Sequence, residues 1–336
     1  MLLFPITSPN RSCIAELPTS KQPARIIHEI NQPVKSINPS EPSFPSQEFI
    51  RQRQQREAEK ARHISSTKEP VRRIARAVLR ASGLSRLARK KALALQLERH
   101  ALKFEKLPTA LSGFRILHIS DPHFPEQRDL ELEKTIASLA ANTEHDLTVL
   151  TGDYRDRSAG PFKGALEAMK SLRSALGCRA IAVLGNHDSI DMVEPLTRAG
   201  YEVLLNQAVT IEHNGAAFDV LGVDDPSYYQ LHSLEACLTG CTTSQQLLLS
   251  HSPDLGVAAA KMGINAYLCG HTHGGQLCLP GGYPMYRNTR APAYMVRGAW
   301  QEGYLHGYTS RGAGTSVVVA RSYCPPELTL HTLCIA

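Results

Sequence analysis

This 336-residue sequence predicts an α/β fold in which helices cover a mixed sheet. Three observations lead there. From Phe114 onward, apolar runs of strand length alternate with amphipathic stretches of helical period. The later strand candidates are short and closely spaced, with an Asn-Gly hairpin turn among them. Charge is also segregated: residues 48–103 hold 16 Lys and Arg against 5 Asp and Glu, whereas 104–336 carry a net −6 within a chain of +6. A basic segment has been joined to a mildly acidic body. Hydrophobic residues make up 42% and charged residues 20%, enough apolar material for a buried core. The absence of an 18-residue apolar run argues against a transmembrane helix. Met1–Ile6 lack the charged start and long apolar stretch of a signal peptide. The eight cysteines include no CxxC pair and read as reduced thiols, with the cytoplasm as default compartment.

The elements follow in order. Residues 1–47 contain eight prolines and little apolar periodicity, so a disordered Pro-rich segment is expected. Residues 48–96 read as a basic amphipathic helical extension. Within them Glu48–Lys68 suggests an exposed helix, and Pro70 ends it and starts the next. In Val71–Leu97, Arg72, Arg76 and Arg80 lie four apart, opposite Val71, Ile74, Ala75 and Val78. After an interruption at Gly83, Leu84, Leu87, Ala88, Ala92 and Leu95 resume an apolar stripe beside Arg86, Arg89, Lys90 and Lys91. Such a helix suits an anionic membrane surface, with packing on the body as the alternative. No RNA-binding signature or helix-turn-helix pattern is present, so no specific nucleic acid is expected. Oligomeric state leaves no signal.

The body, 97–336, begins with strand candidates Phe114–Ser120, Leu147–Thr151 and Ala180–Leu184, separated by helices Asp129–Ala141 and Gly164–Leu176. Helix Met192–Ala199 stops at Gly200. Strands Val203–Leu205, Ala208–His213 and Ala216–Gly222 follow, with Asn214-Gly215 as a hairpin turn. Leu234–Leu238 and Asp254–Met262 read as helices, Gln246–Ser250 and Ala266–Cys269 as strands.

The polar residues that break this pattern all follow strands: Asp121-Pro122-His123, Gly152-Asp153, Gly185-Asn186-His187-Asp188, Ser250-His251 and Gly270-His271-Thr272-His273. Ligands of open α/β sheets gather at the carboxyl ends of strands, so five such ends can converge on one point. Carboxylate, amide oxygen and imidazole suit Mn, Fe, Zn or Mg, whereas a soft site would recruit the cysteines. Glycines beside these residues let the backbone approach closely and take up φ > 0.

The blocks DxH, GDxxD, GNHD, a lone His and GHTHGGQ, in that order between Asp121 and Gln276, resemble the calcineurin-like binuclear metallophosphoesterases. Leu107-Pro108 ahead of RILHISDPHF, Ser310-Arg311-Gly312 and Cys324-Pro325-Pro326-Glu327 are similar to its bacterial, often membrane-associated branch, so the resemblance spans about residues 97–334. It implies a four-layer α/β/β/α sandwich behind the basic helical extension, and two divalent metal ions (Mn, Fe or Zn). Asp121, His123 and His273 would hold the first ion. Asn186, His251 and His271 would hold the second, and Asp153 would bridge both. His187 would face the scissile phosphate, stabilising its charge or protonating the leaving oxygen, with Asp188 orienting its imidazole. A bridging hydroxide would attack phosphorus in line. Asp156 would support the site, and His118, His145, His213, His232, His306 and His331 read as structural.

The substrate implied is a phosphoester: a phosphodiester or pyrophosphate. The branch includes enzymes that cleave UDP-2,3-diacylglucosamine in lipid A synthesis, and the basic helix fits such a lipid-linked substrate at the cytoplasmic face of the inner membrane. Alternatives are a broad phosphodiesterase on soluble nucleotides and a non-catalytic scaffold of the same fold. Arg155 and Arg157 are candidates for an extra phosphate, Tyr228, Tyr229, Tyr283 and Tyr286 for apolar or stacking contact. Asp224-Asp225 is placed in a loop near the mouth.

Overall fold

A computed structural model describes residues 45–336; the expected Pro-rich disordered segment lies outside the described residues except at its end. Two helices come first, α1 (Gln47–Ala81) and α2 (Ser85–Ala92). Ser46 caps α1 by accepting from the Phe49 N–H, and Gly83, at φ +70, separates the helices. The chain continues as β1 (Gln96–Phe104), β2 (Arg115–Ile119), α3 (Leu130–Ala141), β3 (Leu147–Leu150), α4 (Lys163–Ala175), β4 (Arg179–Ala182), α5 (Val193–Arg198) and β5 (Glu202–Val203). Then come β6 (Gln207–His213), β7 (Ala216–Gly222), α6 (Leu234–Thr239), β8 (Gln246–Leu249), α7 (Gly256–Lys261) and β9 (Ala266–Cys269). A small ribbon, β10 (Cys278–Leu279) with β11 (Tyr283–Pro284), precedes β12 (Gly298–Glu302), β13 (Leu305–Thr309) and β14 (Glu327–Ile335).

Two six-stranded sheets result, in the orders β1-β14-β2-β3-β4-β5 and β12-β13-β9-β8-β7-β6. β2 to β5 run parallel, as do β7, β8, β9 and β13. Strand alternation sorts the apolar residues into three cores. Leu117, Ile119, Leu150 and Ala182 face Ile136, Met169 and Leu196 of α3, α4 and α5. Their neighbours Ile116, Val149 and Ile181 meet Phe218, Val220, Leu247 and Leu268 of the second sheet. Leu221, Leu248 and Tyr267 pack on Leu234 and Ala259 of α6 and α7. Three cores between four layers give the expected α/β/β/α sandwich. Strong side-chain alternation thus determines which residues end each strand on the inner seam.

Several expectations are corrected. α1 runs through Pro70 without ending, because proline's fixed φ is itself helical and costs the ladder one N–H. Nor is the first half of α1 an exposed helix: Arg53 and Lys60 are buried. The second helix stops at Ala92, and Gln96–Phe104 is a strand paired with β14 in parallel register. Its polar start, Glu98-Arg99-His100, hides that strand from a pattern search. No described helix is long and apolar enough to cross a membrane, and the seven described cysteines are free thiols.

Candidate metal centre

β2, β3 and β4 of one sheet and β8 and β9 of the other all end at the same seam, and the five polar blocks meet there. Their turns are tight. Asp121, Asp153, His123, His271 and His273 have φ between 47 and 70°, left-handed values that non-glycine residues avoid. Each such residue costs on the order of 1–3 kcal/mol, which persists only where surrounding structure over-determines it. Glycines make the close approach possible. A Cβ on Gly185 would lie 2.3 Å from the Asp153 nitrogen and its Oδ1, and one on Gly270 would lie 2.1 Å from the Asp121 Oδ2.

Two clusters form. In the first, His123 Nε2 and His273 Nε2 lie 2.9 Å apart, and Asp121 Oδ1 is 3.8 and 3.5 Å from them. In the second, His251 Nε2 is 3.0 Å from Asn186 Oδ1 and 3.1 Å from His271 Nδ1. Asp153 stands between: its Oδ2 is 3.5 Å from His123 Nε2 and its Oδ1 is 3.4 Å from His251 Nε2. All seven side chains are buried. Asp121 Oδ1 has no hydrogen-bond partner, an orphaned buried carboxylate oxygen that a cation would satisfy. Metal–ligand bonds of about 2.0–2.2 Å give donor separations of about 3.0–3.4 Å around one ion, close to most of those found here. The donor set fits two divalent cations.

Further contacts aim these groups. His251 Nδ1 lies 2.7 Å from the Thr151 carbonyl, which turns Nε2 to the centre. Asp121 Oδ2 accepts from the His271 N–H at 3.0 Å and from Ser120. His187 Nδ1 lies 2.7 Å from the Asp156 carbonyl, leaving Nε2 3.9 Å from Asp153 Oδ2. Burial holds the His187 pKa well below the usual histidine range, against the opposing charge of Asp153.

The orienting role expected for Asp188 is not what its side chain does. Its oxygens accept from the backbone N–H groups of Gly185, Asp153, Tyr154 and Arg155, at 2.8 to 3.4 Å. Asp188 therefore ties the turn after β3 to the turn after β4, and the Asp156 carbonyl orients His187 instead. Arg155 is likewise committed: it donates to the carbonyls of His187, Gly160 and Ser158, so its expected substrate role falls away. Tyr229 is buried beneath Arg53, whereas Tyr283 and Tyr286 are 70% exposed. The Asp225 carboxylate closes a turn on Ser227, Tyr228 and Tyr229, and Asp224 pairs with Arg53.

Sequence reasoning missed several neighbours. Arg321 is buried with Nη2 3.3 Å from His273 Nδ1, and Ser227 and Asn288 lie 3.4 and 3.1 Å from His271 Nε2. Arg53, Glu57 and Lys60 reach the site from α1; their i, i+4, i+7 spacing was the available signal.

The comparisons with known proteins agree with this chemistry. Residues 114–275 match the calcineurin-like phosphoesterase family model. The chain is 30% identical to the phosphodiesterase YaeI of Escherichia coli over 249 residues, covering 71% of this chain and 88% of YaeI. It is 28% identical to the metallophosphoesterase YkuE of Bacillus subtilis, covering 70% and 84%. It is 25% identical to the UDP-2,3-diacylglucosamine pyrophosphatase LpxG of Chlamydia muridarum, covering 70% and 88%.

Burial opposes a charged His251, but the Asp153 carboxylate, with Asp121 further off, outweighs it and pushes its pKa up to about 10. The metal-free site therefore holds a proton there at pH 7, which a cation must displace; affinity falls as pH falls. Calorimetry of cation binding in two buffers of different ionisation enthalpy should show about one proton released at pH 7. Equal heats in both buffers would contradict this.

Proposed function

The chain belongs to the calcineurin-like phosphoesterases and is a metal-dependent phosphoester hydrolase; on that premise we propose that it hydrolyses a phosphodiester or pyrophosphate, with a lipid-linked substrate at an anionic membrane surface. The placement of Asp153 carries the reaction class: one carboxylate directs an oxygen to each histidine cluster. Asp121, His123 and His273 would hold one divalent cation, Asn186, His251 and His271 the other, and Asp153 both, with Mn, Fe or Zn each suited to these donors. When bound, the cations supply positive charge to the phosphoryl oxygens and acidify the attacking water. His187 presents Nε2 to the site because Nδ1 is taken up by the Asp156 carbonyl. Burial keeps the ring neutral in the substrate-free site; an anionic phosphate beside Nε2 would offset that burial, so His187 would stabilise the developing charge or pass a proton to the leaving oxygen.

Two features support a lipid-linked substrate. Ile74, Val78, Leu84 and Leu87 are 50–65% exposed, and Arg73, Arg80, Arg86, Lys90 and Lys91 are exposed beside them. Apolar side chains among cations suit an anionic bilayer surface. α2 is meanwhile pinned to the body by Arg89, which pairs with Asp129 at 2.8 Å. A groove of about 120 Å³ runs beside His123 and is lined by Ala92, Leu93, Leu132, Val317, Val318 and Val319. The Arg89–Asp129 pair and Asp156 also border this groove, so its valine- and leucine-lined wall next to the centre suits part of an acyl chain beside a polar rim. LpxG, by its name, acts on a pyrophosphate of that kind. YaeI is by its name a phosphodiesterase, which is compatible with the second reading, a broad phosphodiesterase.

With manganese added, UMP release from UDP-2,3-diacylglucosamine should exceed hydrolysis of a soluble aryl phosphodiester by about tenfold or more in kcat/KM, about 1.4 kcal/mol. Asp153→Ala should abolish both activities. Equal or faster turnover of the soluble diester would remove the lipid reading; near-normal activity of the variant would remove the site assignment.

Flotation with anionic liposomes tests the surface. The full chain should float and Leu84→Glu/Leu87→Glu should remain at the bottom, with hydrolysis of the soluble diester unchanged. Equal flotation of the two proteins would dismiss the membrane role.

A further inference from the structure

We propose that α1 is an integral wall of the metal centre and that Lys60 is its positioning residue, holding the Asn186 turn in the geometry the second cation requires. The proposal rests on the dimetal reading above. One face of α1 presents Arg53, Gln54, Glu57 and Lys60, and this face closes over the segment after β4. Lys60 Nζ donates to the Asn186 carbonyl, which the Tyr229 hydroxyl also reaches at 3.2 Å. Arg53 Nη2 lies 3.4 Å from the Asp188 carbonyl. Glu57 accepts from the Ser189 hydroxyl and the Ile190 N–H, both at 2.7 Å. Gln54 donates to Asp191 Oδ1 at 3.0 Å. Four residues on one face of the helix thus grip a six-residue turn, 186–191, whose first member is a candidate ligand.

The same helix grips a second loop. Arg53 Nε donates to both Asp224 oxygens, at 2.9 and 3.1 Å, and its guanidinium carbon stands 3.2 Å from the Tyr229 ring centroid. Arg56 donates to the Tyr229 carbonyl. That loop carries Ser227, which lies 3.4 Å from His271 Nε2. α1 therefore ties together the turn that supplies Asn186 and the loop that backs His271, both candidate ligands of the second cation. The first cluster is held otherwise, by Ser120 on Asp121 and by Arg321 beside His273.

Burial shows that this docking serves more than adhesion. Arg53 is fully buried and Lys60 is 1% exposed. Taking two cations out of water is costly, and a helix that only had to stick would bury apolar side chains instead. Arg53 is offset by Asp224 and Glu57. The Lys60 ammonium lies 4.2 Å from the Tyr228 ring centroid and on a carbonyl next to His187. Arg53, paired with those carboxylates, still reaches the Asp188 carbonyl, and Lys60 donates to the Asn186 carbonyl, so both buried cations touch the backbone of the turn that carries the candidate ligand. Residues that orient ligands from behind typically govern metal affinity by about 10–100-fold.

Metal-free full-length protein, wild type, Lys60→Met, Lys60→Arg and Glu57→Gln, is titrated with Mn²⁺ by equilibrium dialysis, and kcat and KM for a soluble diester are measured on each. The wild type should bind two equivalents. Lys60→Met should keep the first within about twofold and weaken the second by about tenfold or more, with kcat falling more than KM rises. Lys60→Arg, which keeps the charge and a donor, should recover most of the second affinity. Glu57→Gln removes the charge on the same turn while keeping an acceptor; it should weaken the second equivalent in the same direction, so the proposal stays testable should Lys60→Met fail to fold. Unchanged second-site affinity in Lys60→Met, or in Glu57→Gln if the former does not fold, would overturn the proposal while leaving the dimetal reading intact. A wild type that binds fewer than two equivalents would overturn both.

Discussion

A single buried carboxylate, that of Asp153, sits where two sheets meet and faces one histidine cluster with each oxygen. Much of the surrounding structure exists to keep it there. Its backbone is left-handed at φ 56, its N–H is held by Asp188, and its Oδ1 accepts from the His187 N–H at 2.7 Å. An unpaired carboxylate buried to this degree would be costly, so the neighbouring imidazoles that face it are part of its stability. Burial favours the neutral acid, yet the surrounding histidines hold the Asp153 pKa well below the usual carboxylate range. The anion is therefore ready at any physiological pH.

The architecture follows from that constraint. Parallel strands deliver their polar residues at one edge, and two sheets packed through the Ile116–Phe218 core bring two such edges together. The turns that deliver the ligands are strained, and the strain is contained by glycines at contact distance and by the four N–H bonds of Asp188. Strained residues are concentrated in one cluster, beside an orphaned oxygen on Asp121 that a bound cation would satisfy.

The convergence of the five polar blocks was readable in the sequence because Asp, His, Asn and Gly interrupt apolar strands, and that interruption needs a reason. The helices and most parallel strands were readable for the same periodic cause. What was not readable depends on partners distant in the chain. Arg53 and Lys60 look like solvated charges on a polar helix, and only the turn at 186–191 reveals their use. Asp188 beside His187 suggests a side-chain pair, but its oxygens find four backbone N–H groups first. β1 and β14 pair residues about 230 apart, as His100 with His331, and no local pattern announces such a partnership. Pro70 suggests a break that a continuous helix does not make.

The claim on which the account depends is that two cations share Asp153. Electron paramagnetic resonance of the protein loaded with two equivalents of Mn²⁺ tests it most directly. The account predicts the multiline spectrum of a spin-coupled pair, replaced in Asp153→Ala by signals of isolated ions. A spectrum of isolated Mn²⁺ from the unaltered protein would contradict it.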